Sequence, residues 1–95
     1  MVYVDYSDIR GWKGVASSLS SLKQFRAAEK IYALVVTHHP EDVGSFLQLA
    51  KCHAFLNNFA KAEELVEKVL AFSKGYPKFH EIRQQAFHLK AALPI

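Results

Sequence analysis

The sequence predicts an all-α domain made of two helix-turn-helix repeats and a closing helix. Three observations carry that prediction. One apolar pattern occurs twice with a shift of 34 residues. Five stretches space their apolar residues at helical intervals, and Pro, Gly or Asn pairs interrupt the chain between them.

Setting residue 9 onward against residue 43 onward puts Trp12 on Phe46, Val15 on Leu49, Ala16 on Ala50 and Leu19 on His53. Further along, Phe25 falls on Phe59, Ala28 on Ala62, Tyr32 on Val66 and Val35 on Val69. All but the Leu19–His53 pair keep their chemical character. The repeats therefore run over about 9–42 and 43–76, with a closing helix over about 77–93, all within one domain spanning 1–95.

Each helix can be justified in turn. The first, over 8–22, has Ser7 or Asp8 to cap it and an apolar stripe of Ile9, Trp12, Val15, Ala16 and Leu19. The second, over 24–37, carries Phe25, Ala28, Ile31, Tyr32 and Val35. It stops before His38-His39-Pro40, because proline has no N–H to donate and biases the residue before it out of the helical region. Glu41 and Asp42 suit the positive end of a third helix over 41–56, whose stripe is Val43, Phe46, Leu49, Ala50, His53 and Leu56. Asn57-Asn58 breaks it. A fourth helix over 59–73 carries Phe59, Ala62, Leu65, Val66, Val69 and Leu70 and ends before Gly75-Tyr76-Pro77. The last, over 77–92, carries Phe79, Ile82, Ala86 and Leu89. No segment alternates with a period of two, although Val2, Tyr3 and Val4 allow a short extended arm.

Composition excludes several functions. Half of the residues, 51%, are hydrophobic and 22% are charged, a globular balance with no apolar run of the roughly 20 residues that span a bilayer. The start, Met1 to Asp8, has no signal-peptide blocks, which predicts residence in the cytoplasm. Lys and Arg are scattered with no adjacent basic run, so a net charge of +3 does not point to nucleic acid but permits an acidic partner. Cys52 is the single cysteine; it excludes an internal disulfide and reads as a buried, inert thiol.

No constellation points to catalysis, a cofactor or a metal. His38 and His39 are adjacent beside a proline, and His80 and His88 are two turns apart, too far to share an ion. His53 stands at a packing position and reads as a satisfied, partly buried imidazole. Ser17, Ser18, Ser20 and Ser21 cluster without a nucleophile turn around any of them. The glycines are isolated and make no phosphate cradle.

The quoted residues resemble the tetratricopeptide repeat family. That pattern wants a bulky residue at its fourth position, a small one at the eighth, an aromatic near the seventeenth, Ala at the twentieth and Pro near the end. Here Trp12, Ala16, Phe25, Ala28 and Pro40 fill those places, and then Phe46, Ala50, Phe59 and Ala62. The small residues let paired helices approach closely while Trp12 and Phe46 fill the gap, so Trp12, Ala28, Phe46 and Ala62 are expected in the core. The second Pro is missing: Lys74 stands in its place and Pro77 comes late, which predicts a longer second turn and a displaced last helix.

The resemblance implies a protein-binding function, with a concave groove built from the first helix of each pair. It places Arg10, Lys13, Ser17, Ser20 and Ser21 there from repeat one, and Leu47, Gln48, Lys51, Ala54 and Phe55 from repeat two. The partner-binding set is thus Lys13, Ser17, Leu47, Gln48, Lys51 and Phe55, suited to an amphipathic helix or an extended peptide with some acidic residues. A competing account has the fifth helix fold back and cover Leu47 and Phe55. Family members that hold a terminal carboxylate use several groove cations, and here only Lys13, Lys51 and Arg10 are available. By size and architecture the chain also resembles small cytosolic chaperones that hold a type III secretion needle or export subunit in a hetero-oligomer. The alternative is a scaffold or adaptor subunit of a larger complex.

Overall fold

The computed structural model describes residues 9–94. They form α1 (Ile9–Ser21), α2 (Phe25–His38), α3 (Val43–Phe55), α4 (Phe59–Ser73), a 3-10 turn (Pro77–Phe79) and α5 (His80–Ala92). The fold class is the one expected, an all-α helical repeat. The cap at Ser7 or Asp8 and the extended arm at Val2 to Val4 lie outside the described residues.

The two turns inside the helix pairs have the same construction. After α1 the backbone passes through a left-handed residue, Lys23, with φ 61°, and after α3 through Asn57, with φ 65°. Gln24 N–H then donates to Leu19 carbonyl at 2.8 Å and Lys23 N–H to Ser20 carbonyl at 2.9 Å. Asn58 N–H reaches His53 carbonyl at 2.8 Å and Asn57 N–H reaches Ala54 carbonyl at 3.1 Å. This reverse-bonded ending satisfies the last carbonyls of each helix. Asn accepts the left-handed conformation readily; Lys23 adopts it at a steric cost.

Each helix packs on its sequence neighbour, and α5 also touches α3. The close approaches occur where small residues were expected: Ala16, Ala28, Ala50 and Ala62 are fully buried. Phe46 belongs to the core, as expected, together with Tyr32, Leu49, Leu65, Val66 and Val69. An isobutyl group at Ala62 has no room, so Ala62→Leu is expected to cost about 1–3 kcal/mol. A thermal melt of Ala62→Leu matching the parent's would contradict close helix pairing at this position.

Two expectations for α1 are corrected. Trp12 is half-buried where a core position was expected, and Val15, a member of the predicted stripe, is 51% exposed. The physical reason is position in the stack. Of the described helices, α2 alone packs extensively on α1, so much of the surface of α1 is left uncovered by them. The pattern of an interior repeat therefore overstates how much of a first helix is covered.

The last helix is displaced, as the late Pro77 predicted. Gly75, at φ 81°, and the 3-10 turn delay α5 until His80. A strict shift of 34 would set Gln84 opposite Ala50, yet the fully buried residue is Ala86, which with Ile82 repeats the bulky-then-small spacing of Phe46 and Ala50. Physically, α5 is a third inner helix. Arg83 fixes it to the end of α4, where its Nη1 donates to Leu70 carbonyl at 2.8 Å and to Ser73 Oγ at 3.1 Å. A Lys90–Glu67 ion pair adds a second tie.

Candidate functional site: the concave face of α1, α3 and α5

The inner helices present two hollows with Phe55 between them. The first, of about 530 Å3, is lined by Ser17, Ser20, Ser21, Lys23, Phe25, Tyr32, Gln48 and Phe55. The second, of about 610 Å3, lies between α3 and α5. Its apolar wall is Ala54, Phe59, Leu89 and Leu93, and its polar groups are Lys51, Gln85 and His88. Phe55 lines both. Its ring is 64% exposed and stacks on Phe25 with centroids 4.2 Å apart and planes 5° from parallel.

The expected site residues divide into three groups. Ser17, Gln48 and Phe55 come together at the first hollow, and Lys51 and Phe55 at the second. Lys13 lines neither; its ammonium lies 3.2 Å from Asp42, tying α1 to the N-terminus of α3. Asp42 also accepts a hydrogen bond from Ser45 Oγ.

Leu47 requires a correction. It is 1% exposed and belongs to the core, so it offers nothing to a partner. Gly44 and Lys51 flank it on the same face of α3. A methyl group at Gly44 would lie 3.9 Å from Ile82 of α5, and Lys51 Nζ donates to Gln85 of α5 at 2.9 Å. The fifth helix therefore covers the Leu47 face and leaves Phe55 open. Of the two residues, Leu47 is buried and Phe55 is exposed.

Sequence reasoning overlooked Phe25, Gln85, His88 and Leu89 as parts of this face. The signal for the last three was the Ile82–Ala86 pair, which marks α5 as an inner helix; the signal for Phe25 was its place at the start of α2, where α1 turns back.

His53 and Cys52 behave as expected. His53 Nε2 lies 3.5 Å from Glu29 Oε1 and its Nδ1 lies 3.3 Å from Asn58 Nδ2, so both ring nitrogens have partners. Cys52 is buried, and burial pushes its thiol above the ordinary value; a hydrogen bond with Ser20 opposes this, and the charge of Glu29 raises it further. The neutral thiol is a poor nucleophile at neutral pH. Iodoacetamide should therefore reach Cys52 only through unfolding. With a core worth about 3–5 kcal/mol, that slows labelling by on the order of a hundredfold or more relative to the denatured chain. Labelling as fast in buffer as in denaturant would contradict a buried Cys52.

Among the described residues no three His, Cys, Asp or Glu side chains gather to hold a metal ion, and no helix is long and apolar enough to cross a membrane. The concave face is an array of apolar steps, amides and ammonium groups carried on helices.

The fold and this face define a helical-repeat binding module. The chain belongs to the tetratricopeptide repeat family, whose profile matches residues 19–86. Such repeats are typically non-catalytic modules for protein–protein interaction. Tetratricopeptide repeat protein 16 of Mus musculus is 32% identical over 65 residues, which cover 68% of this chain and 8% of the mouse protein. The chain thus spans less than a tenth of that relative's length. No solved structure matches it significantly.

Proposed function

We propose that this chain seats an amphipathic helix or extended segment of a partner polypeptide in the concave face of α1, α3 and α5, within a heteromeric complex in the cytoplasm. The observation that carries the reading is Phe55. A large aromatic ring that stays mostly exposed, yet is held at a fixed angle by stacking on Phe25, is preorganised as an anchor. Hollows on both sides give a partner's side chains somewhere to insert. The test is binding of amphipathic helical peptides to the parent and to Phe55→Asp by fluorescence anisotropy. Equal affinity for both proteins would refute the reading.

The adaptor or scaffold role is favoured over a chaperone for a secretion needle or export subunit, which rests on size and architecture alone. Supporting the adaptor, α5 turns the exposed polar residues Glu81 and Gln84 to solvent. The guanidinium of Arg83 also lies 5.4 Å from the centre of the Phe87 ring. Expressed without partners, an adaptor is folded and monomeric. A chain that aggregates unless a partner is co-expressed would restore the chaperone reading.

A further inference from the structure

Of the lysines of this protein, Lys13 and Lys51 are half-buried and the others are exposed. Lys13, Lys61, Lys68 and Lys90 each face a carboxylate: Asp42, Glu64, Glu64 and Glu67 respectively. Lys51 is half-buried at the α3/α5 hollow, and the one partner that the described residues give it is the neutral amide oxygen of Gln85 at 2.9 Å. An ammonium has three N–H donors, so this bond fixes the head and leaves donors over. His88 lines the same hollow, Lys23 lines the neighbouring one, and no carboxylate lines either. A cation held in place beside an apolar trough, with no anion of its own, is complementary to an incoming negative charge.

We propose that the α3/α5 half of the groove is specific for an acidic amphipathic segment. An aliphatic or aromatic side chain of the segment enters between Phe55, Phe59 and Leu89, and a Glu or Asp one turn away accepts a hydrogen bond from Lys51 Nζ. The proposal deepens the groove-binding reading and rests on it. The carboxylate is a side chain of an internal segment and not a chain terminus. A terminal carboxylate needs several converging donors, and Lys13, the other inner-helix cation of the expected site, is held by Asp42. The partial burial of Lys51 strengthens the pairing, because charges partly shielded from water interact more strongly and are less screened by salt.

The test uses three labelled, C-terminally amidated peptides of about 14 residues, long enough to lie along α3 at 1.5 Å per residue. All share one apolar face and differ only beside it, with Glu, Gln or Lys. A fourth is the Glu peptide with a free terminus. The parent should bind the Glu peptide about tenfold more tightly than the Gln peptide, and should bind the Lys peptide worst. Lys51→Gln should erase the difference between the Glu and Gln peptides with the melt unchanged, and Lys51→Glu should favour the Lys peptide. Freeing the terminus should change little. Equal binding of all three side-chain peptides, each lost in Phe55→Asp, would overturn the acidic specificity while the groove reading stands. A large gain from the free terminus would overturn the side-chain assignment. Binding of no peptide, or binding indifferent to Phe55, would overturn both.

Discussion

Leu47→Ala is expected to destabilise the domain by about 2–5 kcal/mol, the cost of removing a buried leucine side chain and leaving part of the space empty. Leu47 is among the largest side chains that are fully enclosed. It lies on the α3 face where Ile82 of α5 sits over Gly44 and Lys51 bonds Gln85, and it shares one core with the buried Ala86 of α5. A small repeat domain has about 3–5 kcal/mol in total, so this one change can unfold much of the population at 37 °C. For a domain of this size each kcal/mol lowers the melting temperature by about 4–8 °C. The measurement is a thermal melt by circular dichroism without any partner. A parental melt for Leu47→Ala combined with weakened partner binding would reinstate Leu47 as a contact residue and displace α5 from its seat.

Most of the architecture was legible because helix pairing within a repeat is a local matter. Ala16, Ala28, Ala50 and Ala62 mark where backbones meet, Pro40 and Asn57 mark where they turn, and all of these stand in the sequence at fixed offsets. Burial beyond the repeat was less legible. The stripe of Phe46, Leu49, Ala50 and His53 describes how α3 meets the helices of the two repeats, and it says nothing of what arrives from the C-terminal side. A signal was present. From Val43 to Phe55 the apolar residues fall on nearly every side, with Lys51 the one permanent charge. A helix that is apolar all round is a buried one. The reverse error occurred at α1, where Trp12 is half-buried and Val15 exposed although both obey the repeat pattern. Of the expected site, Ser17, Gln48, Lys51 and Phe55 line the two hollows. The Phe25–Phe55 stack itself was not legible, since it depends on the distance between one turn and the end of another helix.

Phe55→Asp is expected to leave the domain folded and to abolish most of its affinity for an amphipathic partner. The ring is 64% exposed, so its removal costs the fold little beyond the stack on Phe25. That contact is worth about 0.5–1.5 kcal/mol, which corresponds to a melt lower by several degrees and unchanged helicity. Binding suffers more, because a partner's apolar side chains on either side of the ring lose their shared wall and meet a carboxylate that must be desolvated. A central aromatic anchor typically contributes 2 kcal/mol or more, so the affinity should fall by roughly 30-fold or greater. Phe25→Ala is the companion variant. It leaves Phe55 in place but unsupported, and should weaken binding by less, through lost preorganisation. If Phe55→Asp instead unfolds the chain before any partner is added, the ring is covered in solution and the concave face is closed. A folded Phe55→Asp protein that binds as well as the parent would place the partner elsewhere on the domain.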